Sequence, residues 1–227
     1  MTPEPIDLTS EYYENQPGLG GLVSRTSWHI RQKMYRDIVA IAQPTATTKI
    51  LDVGVTCDRR QDSNFFEKLY PYPHNITALG VEDASFLEQQ YPGLTFIQTD
   101  GSRLPFPDQS FDLVVSFAVI EHVGSRSQQR DFVAELCRVG KQVYITTPNR
   151  WFPVEFHSVL PFVHWLPPKI FQQILRWLGK DFWADERNLN LLDNAAFWSL
   201  FPPTVNRQTK CYRLFGLVSN LMIYTHR

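Results

Sequence analysis

Five short apolar runs, each closed by a polar residue and spaced by helical stretches, constrain this 227-residue chain more than any other feature. They are residues 49–54, 76–81, 94–99, 111–116 and 142–147. Continuous apolar strands that alternate with helices predict a parallel sheet buried on both faces. Helices are expected over 22–42, where Pro44 ends the pattern, over 84–90 and over 127–138. Asn64 is read as an N-cap for the helix that follows, with Glu67 at its third position. Two further strands, 210–215 and 220–225, meet around Gly216 as a hairpin. The expected fold class is therefore α/β. It is a three-layer arrangement, a mostly parallel sheet with helices on both faces, followed after strand 5 by an aromatic-rich segment.

In such sheets ligands bind beyond the carboxyl ends of the strands. Those ends carry Asp52, Gly54, Glu82, Asp100, Ser116 and Thr147 to Asn149. A strand-end carboxylate such as Glu82 suits a ribose diol, because it is acceptor-only with two oxygens. The loop after the first strand reads Gly54-Val-Thr-Cys-Asp-Arg59 and keeps one glycine of the pattern that pyrophosphate binding requires. A dinucleotide site is disfavoured on that ground.

These residues resemble the class I S-adenosylmethionine-dependent methyltransferases, specifically the type 11 group, over roughly residues 49–149. The resemblance implies a Rossmann-like sheet with an antiparallel last strand and an aromatic cap inserted after strand 5. Leu51-Asp-Val-Gly-Val-Thr-Cys-Asp58 is similar to that family's first motif, with Thr56 and Asp58 where two glycines usually stand. Gly80-Val-Glu82 matches the acid that holds the cofactor ribose. Asp100-Gly-Ser102 looks like the adenine-side motif, and the stretch from Phe106 through Ser116 to Val123 matches the fourth-strand segment. By resemblance the cofactor is S-adenosyl-L-methionine, held by Asp52, Gly54, Thr56, Asp58, Glu82, Asp100, Gly101, Ser102 and Ser116. The altered loop leaves two readings. In one it is reshaped, so that Thr56 or Asp58 takes the cofactor's ammonium; in the other it no longer binds the cofactor. Arg59 and Arg60 would meet the cofactor carboxylate or form a solvated pair.

Glu121-His122 follows the fourth strand, where the resemblance places the transferred methyl. His122 is the candidate general base, since an unperturbed imidazole titrates at about 6.5. Ordering of the loop by either residue is the alternative. Some quinone-ring O-methyltransferases of the family hold a metal with a Glu-His pair and a further acid. Here Phe117 stands where that acid is expected, so no metal is expected. Asn149, Arg150, Trp151 and His157 are the acceptor-side candidates.

Aromatic residues make up 14% of the chain but are not evenly spread. Nine fall within the 33 residues 151–183, together with four prolines. A helix near 169–178 would place Ile170, Phe171, Ile174, Leu175 and Leu178 on an apolar face. The segment reads as a lid over an apolar or aromatic acceptor, or as a hydrophobic subdomain packed on the sheet.

One domain is expected. It divides into an N-terminal helical lid (1–45), a cofactor-binding core (46–149), the cap (150–203) and the C-terminal strands (204–227). The formal charge of −1, from 22 basic and 23 acidic residues, speaks against a nucleic-acid partner. No apolar run is long enough to span a bilayer and no signal peptide is expected, though peripheral membrane contact stays open. Three scattered cysteines suit a reducing cytoplasm. The expected activity is methyl transfer to a small apolar, aromatic or lipid-linked acceptor. The alternatives are a non-catalytic binding protein of the same fold and an NAD(P)-dependent oxidoreductase.

Overall fold

The computed structural model describes residues 20–59, 63–99 and 103–225. Helix α1 spans Gly20–Ala42, followed by β1 (Ile50–Val53), α2 (Phe65–Leu69), β2 (Ile76–Gly80), α3 (Phe86–Gln90) and β3 (Thr95–Gln98). Then come β4 (Phe111–Phe117), a 3₁₀ turn (Ile120–His122), α4 (Arg126–Val139) and β5 (Gly140–Pro148). The chain ends with α5 (Pro168–Trp177), α6 (Asn194–Ser199), β6 (Arg207–Leu214) and β7 (Leu217–Thr225). The sheet order is β3-β2-β1-β4-β5-β7-β6. β1 to β5 run parallel, and β7 enters antiparallel between β5 and β6. The expected architecture is the one observed.

Alternation along each strand divides the core into two layers. Leu51, Val53, Val114, Val143 and Ile145 face α4 and α6, meeting Phe132, Val133, Leu136 and Phe197. Ile50, Leu113, Val115 and Tyr144 face the other way and meet Ile30, Met34 and Ile38 of α1 and Phe66 of α2. The part of α1 assigned above to a lid is therefore a covering layer of the sheet. A third, smaller cluster lies in the cap, where Phe171, Leu175, Trp183, Leu189 and Leu191 bury one another.

The cap does not bury all its aromatics. Phe152, Phe171 and Trp183 are buried, whereas Trp151, Phe162, Trp165 and Trp177 stay exposed, Trp177 at 91%. The outward side of α5 carries Ile170 and Trp177 seven residues apart. α5 is thus apolar on its outer side as well as on the inner side formed by Phe171 and Leu175.

One capping expectation is corrected. Asn64 sits at φ 47 before α2 and its side chain makes no cap bond. Instead Asn64 Nδ2 donates to the Thr56 carbonyl at 2.8 Å and Oδ1 accepts from the Thr56 N–H at 3.0 Å. The left-handed backbone turns the amide away from its own helix and towards the loop after β1. Glu67 is buried instead of reaching back to the cap.

Candidate functional site

The turn after β1 depends on Gly54. Its φ is +104, and a Cβ there would stand 2.1 Å from Val119 Cγ2. Both the bare backbone and the left-handed angle require glycine. The Gly54 and Val55 N–H groups donate to the Leu79 carbonyl at 2.8 and 2.9 Å, fixing the turn to the end of β2. Beyond it, side chains do what further glycines leave to a ligand. The Asp58 N–H donates to Thr56 Oγ1 at 3.2 Å, and Ser63 Oγ donates to Asp58 Oδ2 at 2.5 Å. Cys57 Sγ donates to Glu82 Oε2 at 3.1 Å. Burial and that carboxylate push the Cys57 thiol up to about 11. The Arg59 guanidinium lies 4.4 Å from the centre of the Phe86 ring. Among the described residues these bonds bring Thr56, Asp58 and Glu82 to the same rim.

Two strand-end residues are placed differently from expectation. Ser116 is fully buried and donates to the Val53 carbonyl at 2.8 Å, so its hydroxyl joins β4 to β1. Asp52 is buried against Glu67 of α2. Burial, then the Glu67 charge, raises the Asp52 carboxyl well above the usual range, and burial raises Glu67 as well. Two carboxyls confined together cannot both ionise at low cost. Asp100, Gly101, Ser102 and Arg60 lie outside the described residues.

On the other side of Val119, β4 leaves the sheet through Ala118, which sits at φ 56 in the left-handed region. The turn delivers Glu121 and His122 to the rim. Gln129 Nε2 of α4 donates to the Ile120 carbonyl at 2.8 Å, and the Asn190 N–H donates to the Glu121 carbonyl at 2.7 Å. Glu121 is fully buried, and its Oε2 accepts from the Thr147 hydroxyl at 3.0 Å. Burial raises its carboxyl to about 7. His122 Nδ1 donates to the Asn188 carbonyl at 2.6 Å. Burial, then the neighbouring His157, drives His122 down to about 3. The imidazole expected as a base titrating near neutrality is held neutral instead.

The cap completes this cluster with His157. The loop from Pro153 folds back on itself, with a Val154 to Pro161 bridge and the Glu155 N–H donating to the Leu160 carbonyl at 3.1 Å. This inserts Glu155, which is 3% exposed. Its Oε1 accepts from both the His157 N–H at 2.8 Å and His157 Nδ1 at 2.6 Å. Burial opposes charge on both partners, but each raises the charged form of the other. Glu155 is held at about 2 and His157 is raised above its ordinary value. The His157 ring meets His122 edge-on with 4.8 Å between centres, and Trp183 lies 4.9 Å from His157. The two imidazole side chains remain 19% and 14% exposed, so the cluster opens to the surface.

Asn149, Arg150 and Trp151 brace this cap. Asn149 Nδ2 donates to the Val218 carbonyl at 2.9 Å, while Oδ1 accepts from the Trp151 N–H at 3.2 Å. Arg150 donates to the Leu166 carbonyl at 3.0 Å and lies over the Trp151 ring. Glu155, Asn188, Trp183 and Asn64 escaped sequence reasoning as site residues. Only the Glu155-Phe-His157 spacing was available as a signal, since a carboxylate two residues before an imidazole can reach its Nδ1.

Sheet order, the antiparallel β7 and the polar rim define a class of fold: the Rossmann-like methyltransferase sheet. Residues 64–143 match the model of a family described as "Methyltransferase domain". The chain is 41% identical over 153 residues to a "Probable S-adenosylmethionine-dependent methyltransferase" of Mycolicibacterium smegmatis, covering 65% of this chain and 54% of that protein. It is 23% identical over 210 residues to a demethylmenaquinone methyltransferase of Roseiflexus, covering 88% and 82% of the two chains. Among solved structures, the N-methyltransferase NodS of Bradyrhizobium japonicum in complex with S-adenosyl-L-homocysteine has the same fold. There the TM-score is 0.54 at 12% identity, over 86% of each chain. The chain spans about half the length of its Mycolicibacterium relative. Over part of its length the chain is thus similar to S-adenosylmethionine-dependent methyltransferases, and it shares the fold of such enzymes.

Proposed function

We propose that the protein transfers the methyl group of S-adenosylmethionine to a hydroxyl of a small apolar, aromatic or lipid-linked acceptor. The observation that carries this reading is the meeting of His157 with Glu121 and His122. They meet just beyond the Gly54 turn, which packs on Val119. The residues at the rim fit the cofactor. Glu82 suits the ribose diol, the glycine turn leaves the backbone approachable, and Asp58 supplies a carboxylate for the ammonium. When bound, the cofactor supplies an activated methyl on a sulfonium.

The rest falls to the chain. An oxygen nucleophile must shed its proton as the new bond forms. The cluster of Glu121, His122 and His157 offers basic atoms for that step and holds the oxygen in line. Glu155 fixes the His157 ring so that Nε2 faces the acceptor, the role a carboxylate plays towards an orienting histidine in acyl transfer. Trp183 contributes an apolar wall. The exposed Phe162, Trp165, Ile170 and Trp177, with the basic Lys169 and Arg176, support peripheral contact with a membrane from which a lipid-linked acceptor is drawn. No helix among the described residues is long and apolar enough to cross a membrane.

The test supplies the purified protein with methyl-labelled S-adenosylmethionine and separate lipid and aqueous extracts. Label in the lipid fraction supports the acceptor class; label confined to the aqueous fraction overturns it. No calorimetric binding of S-adenosylhomocysteine would sink the cofactor reading and favour a non-catalytic protein of this fold.

A further inference from the structure

We propose that Glu121, His122 and His157 form a binding site for one divalent transition-metal ion, supported from outside by Glu155 and the Asn188 carbonyl. One ligand atom from each of the three residues lies within 4.8 Å of the others. The three come from two distant segments, the β4 turn and the cap loop, so their meeting is a product of the fold and not of sequence adjacency alone.

The hydrogen bonds around the cluster point the same way. Metal-bound histidines donate their second ring nitrogen to a carboxylate or a backbone carbonyl, which fixes tautomer and ring orientation. Both arrangements occur here. His122 Nδ1 is held by the Asn188 carbonyl at 2.6 Å, and His157 Nδ1 by the Glu155 carboxylate at 2.6 Å. With Nδ1 committed on each ring, Nε2 is the nitrogen a metal would take.

Glu121 gives the independent sign. The residue is fully buried, and Oε2 accepts from Thr147. Oε1 has no hydrogen-bond partner among the described residues, although it is 3.9 Å from His122 Nε2. A buried carboxylate oxygen without a donor is costly, and a cation between it and the two imidazoles removes that cost.

The donor set selects the ion. Two imidazoles and one carboxylate suit zinc, manganese, iron(II) or cobalt, whereas calcium and magnesium prefer oxygen. Ligand bonds of about 2.1 Å bring neighbouring donors to roughly 3.4 Å in a tetrahedral site. The cluster therefore closes by about an ångström on binding, a movement within reach of side-chain rotation. Three protein ligands leave a position open towards the acceptor. That this position takes the acceptor's oxygen rests on the function proposed above; binding of the ion does not.

The full-length protein is stripped with a chelator and titrated calorimetrically with zinc and with manganese, and with cobalt followed by visible absorption. One ion per chain is expected. His157→Ala and Glu121→Gln should each weaken binding by at least about 100-fold and Glu155→Gln by roughly 10- to 100-fold, as for loss of an outer support. Melting temperature and S-adenosylhomocysteine affinity identify variants that have not folded, and for those His157→Asn is the second substitution. Failure of the wild-type protein to bind any of the three ions overturns the site, as does binding that survives His157→Ala. Methyl transfer that continues in chelated protein but is lost in His157→Ala would reject the metal and leave the proposed function standing.

Discussion

The turn after β1 and the loop after β5 serve the same rim but are built in opposite ways. The first is local. Thr56, Asp58, Ser63 and Asn64 lie within nine positions and satisfy one another, while Leu79 and Glu82 are the distant partners that hold Gly54, Val55 and Cys57. The second is assembled from afar. His157 faces residues 35 and 36 positions earlier, and the His122 ring is set by a carbonyl 66 positions away. A local loop tolerates exchange of its residues so long as its internal bonds close, which is how glycines are replaced without loss of a defined turn. A site made by convergence has no such slack, because each residue depends on separate elements being in place. Substitutions on the acceptor side should therefore abolish chemistry with little effect on cofactor affinity. Those on the cofactor side should change affinity in small steps.

The largest expected effect tests the convergent side. His157→Ala should lower the rate of methyl transfer by about 10² to 10⁴, the range for a group that assists proton transfer. Affinity for S-adenosylhomocysteine should stay within about twofold, since by the comparison above that ligand reports only the other side. A parallel loss of affinity would show that the two halves are not separable. Next is Glu82→Ala. Removing the charged acceptor of the ribose diol, at about 1.5–3 kcal/mol net as for one hydrogen bond to a charged group, should weaken cofactor binding by roughly 10- to 100-fold in a calorimetric titration. Unchanged affinity would remove Glu82 from the site.

The same contrast explains what was legible in the residues. The strands declared themselves because continuous apolar runs such as Ile76 to Val81 have no other use, and the polar residues closing them marked the rim. The closing hairpin with an antiparallel last strand followed from the resemblance and not from periodicity, and the insertion of β7 between β5 and β6 is visible only in the fold. On the cofactor side Glu82 could be picked out because its position after a strand is a local property. Ser116 and Asp52 also stand at strand ends, yet alternation turned them inward, to the Val53 carbonyl and to Glu67. Strand ends alone do not tell which face a side chain takes. His157 stands out in the sequence as an acceptor-side candidate, with no sign of what it meets. Its meaning came from Glu155 and from the distant Glu121, and no spacing rule encodes a contact between two loops. The pKa of His122 was misjudged for the same reason, since burial under the cap is a tertiary fact.

A smaller effect probes the local side. Asn64→Ala deletes both bonds to Thr56 and leaves a backbone N–H and carbonyl to find other partners. At about 1 kcal/mol per net hydrogen bond, the melting temperature should fall by roughly 4–8 °C in a chain of this size. Cofactor affinity should weaken by about tenfold or less, because the loop retains the Gly54 turn. If binding is lost outright while the fold persists, Asn64 is more than a brace, and the cofactor side is less tolerant than its local construction implies.

The smallest expected effect lies beneath the same loop, at Asp52 and Glu67. Both carboxyls are raised in the folded protein, Asp52 by burial and then by the charge of Glu67, and Glu67 by burial. A carboxyl with a raised folded-state pKa favours folding at pH values below its unfolded pKa of about 4. It withdraws that support as pH climbs through the folded value, because the unfolded chain ionises first. Stability should thus decline from mildly acidic to alkaline pH across this pair. Glu67→Gln keeps the shape and removes one of the two titrations. The variant should melt about 2–4 °C above the wild-type protein at pH 8, the shift expected for about 1 kcal/mol. The difference should shrink towards zero below pH about 4, where both carboxyls are protonated in folded and unfolded chains alike. A variant that melts lower at pH 8 would mean that the contact between Asp52 and Glu67 is net stabilising. The pair would then belong with the internally satisfied contacts of the loop above it.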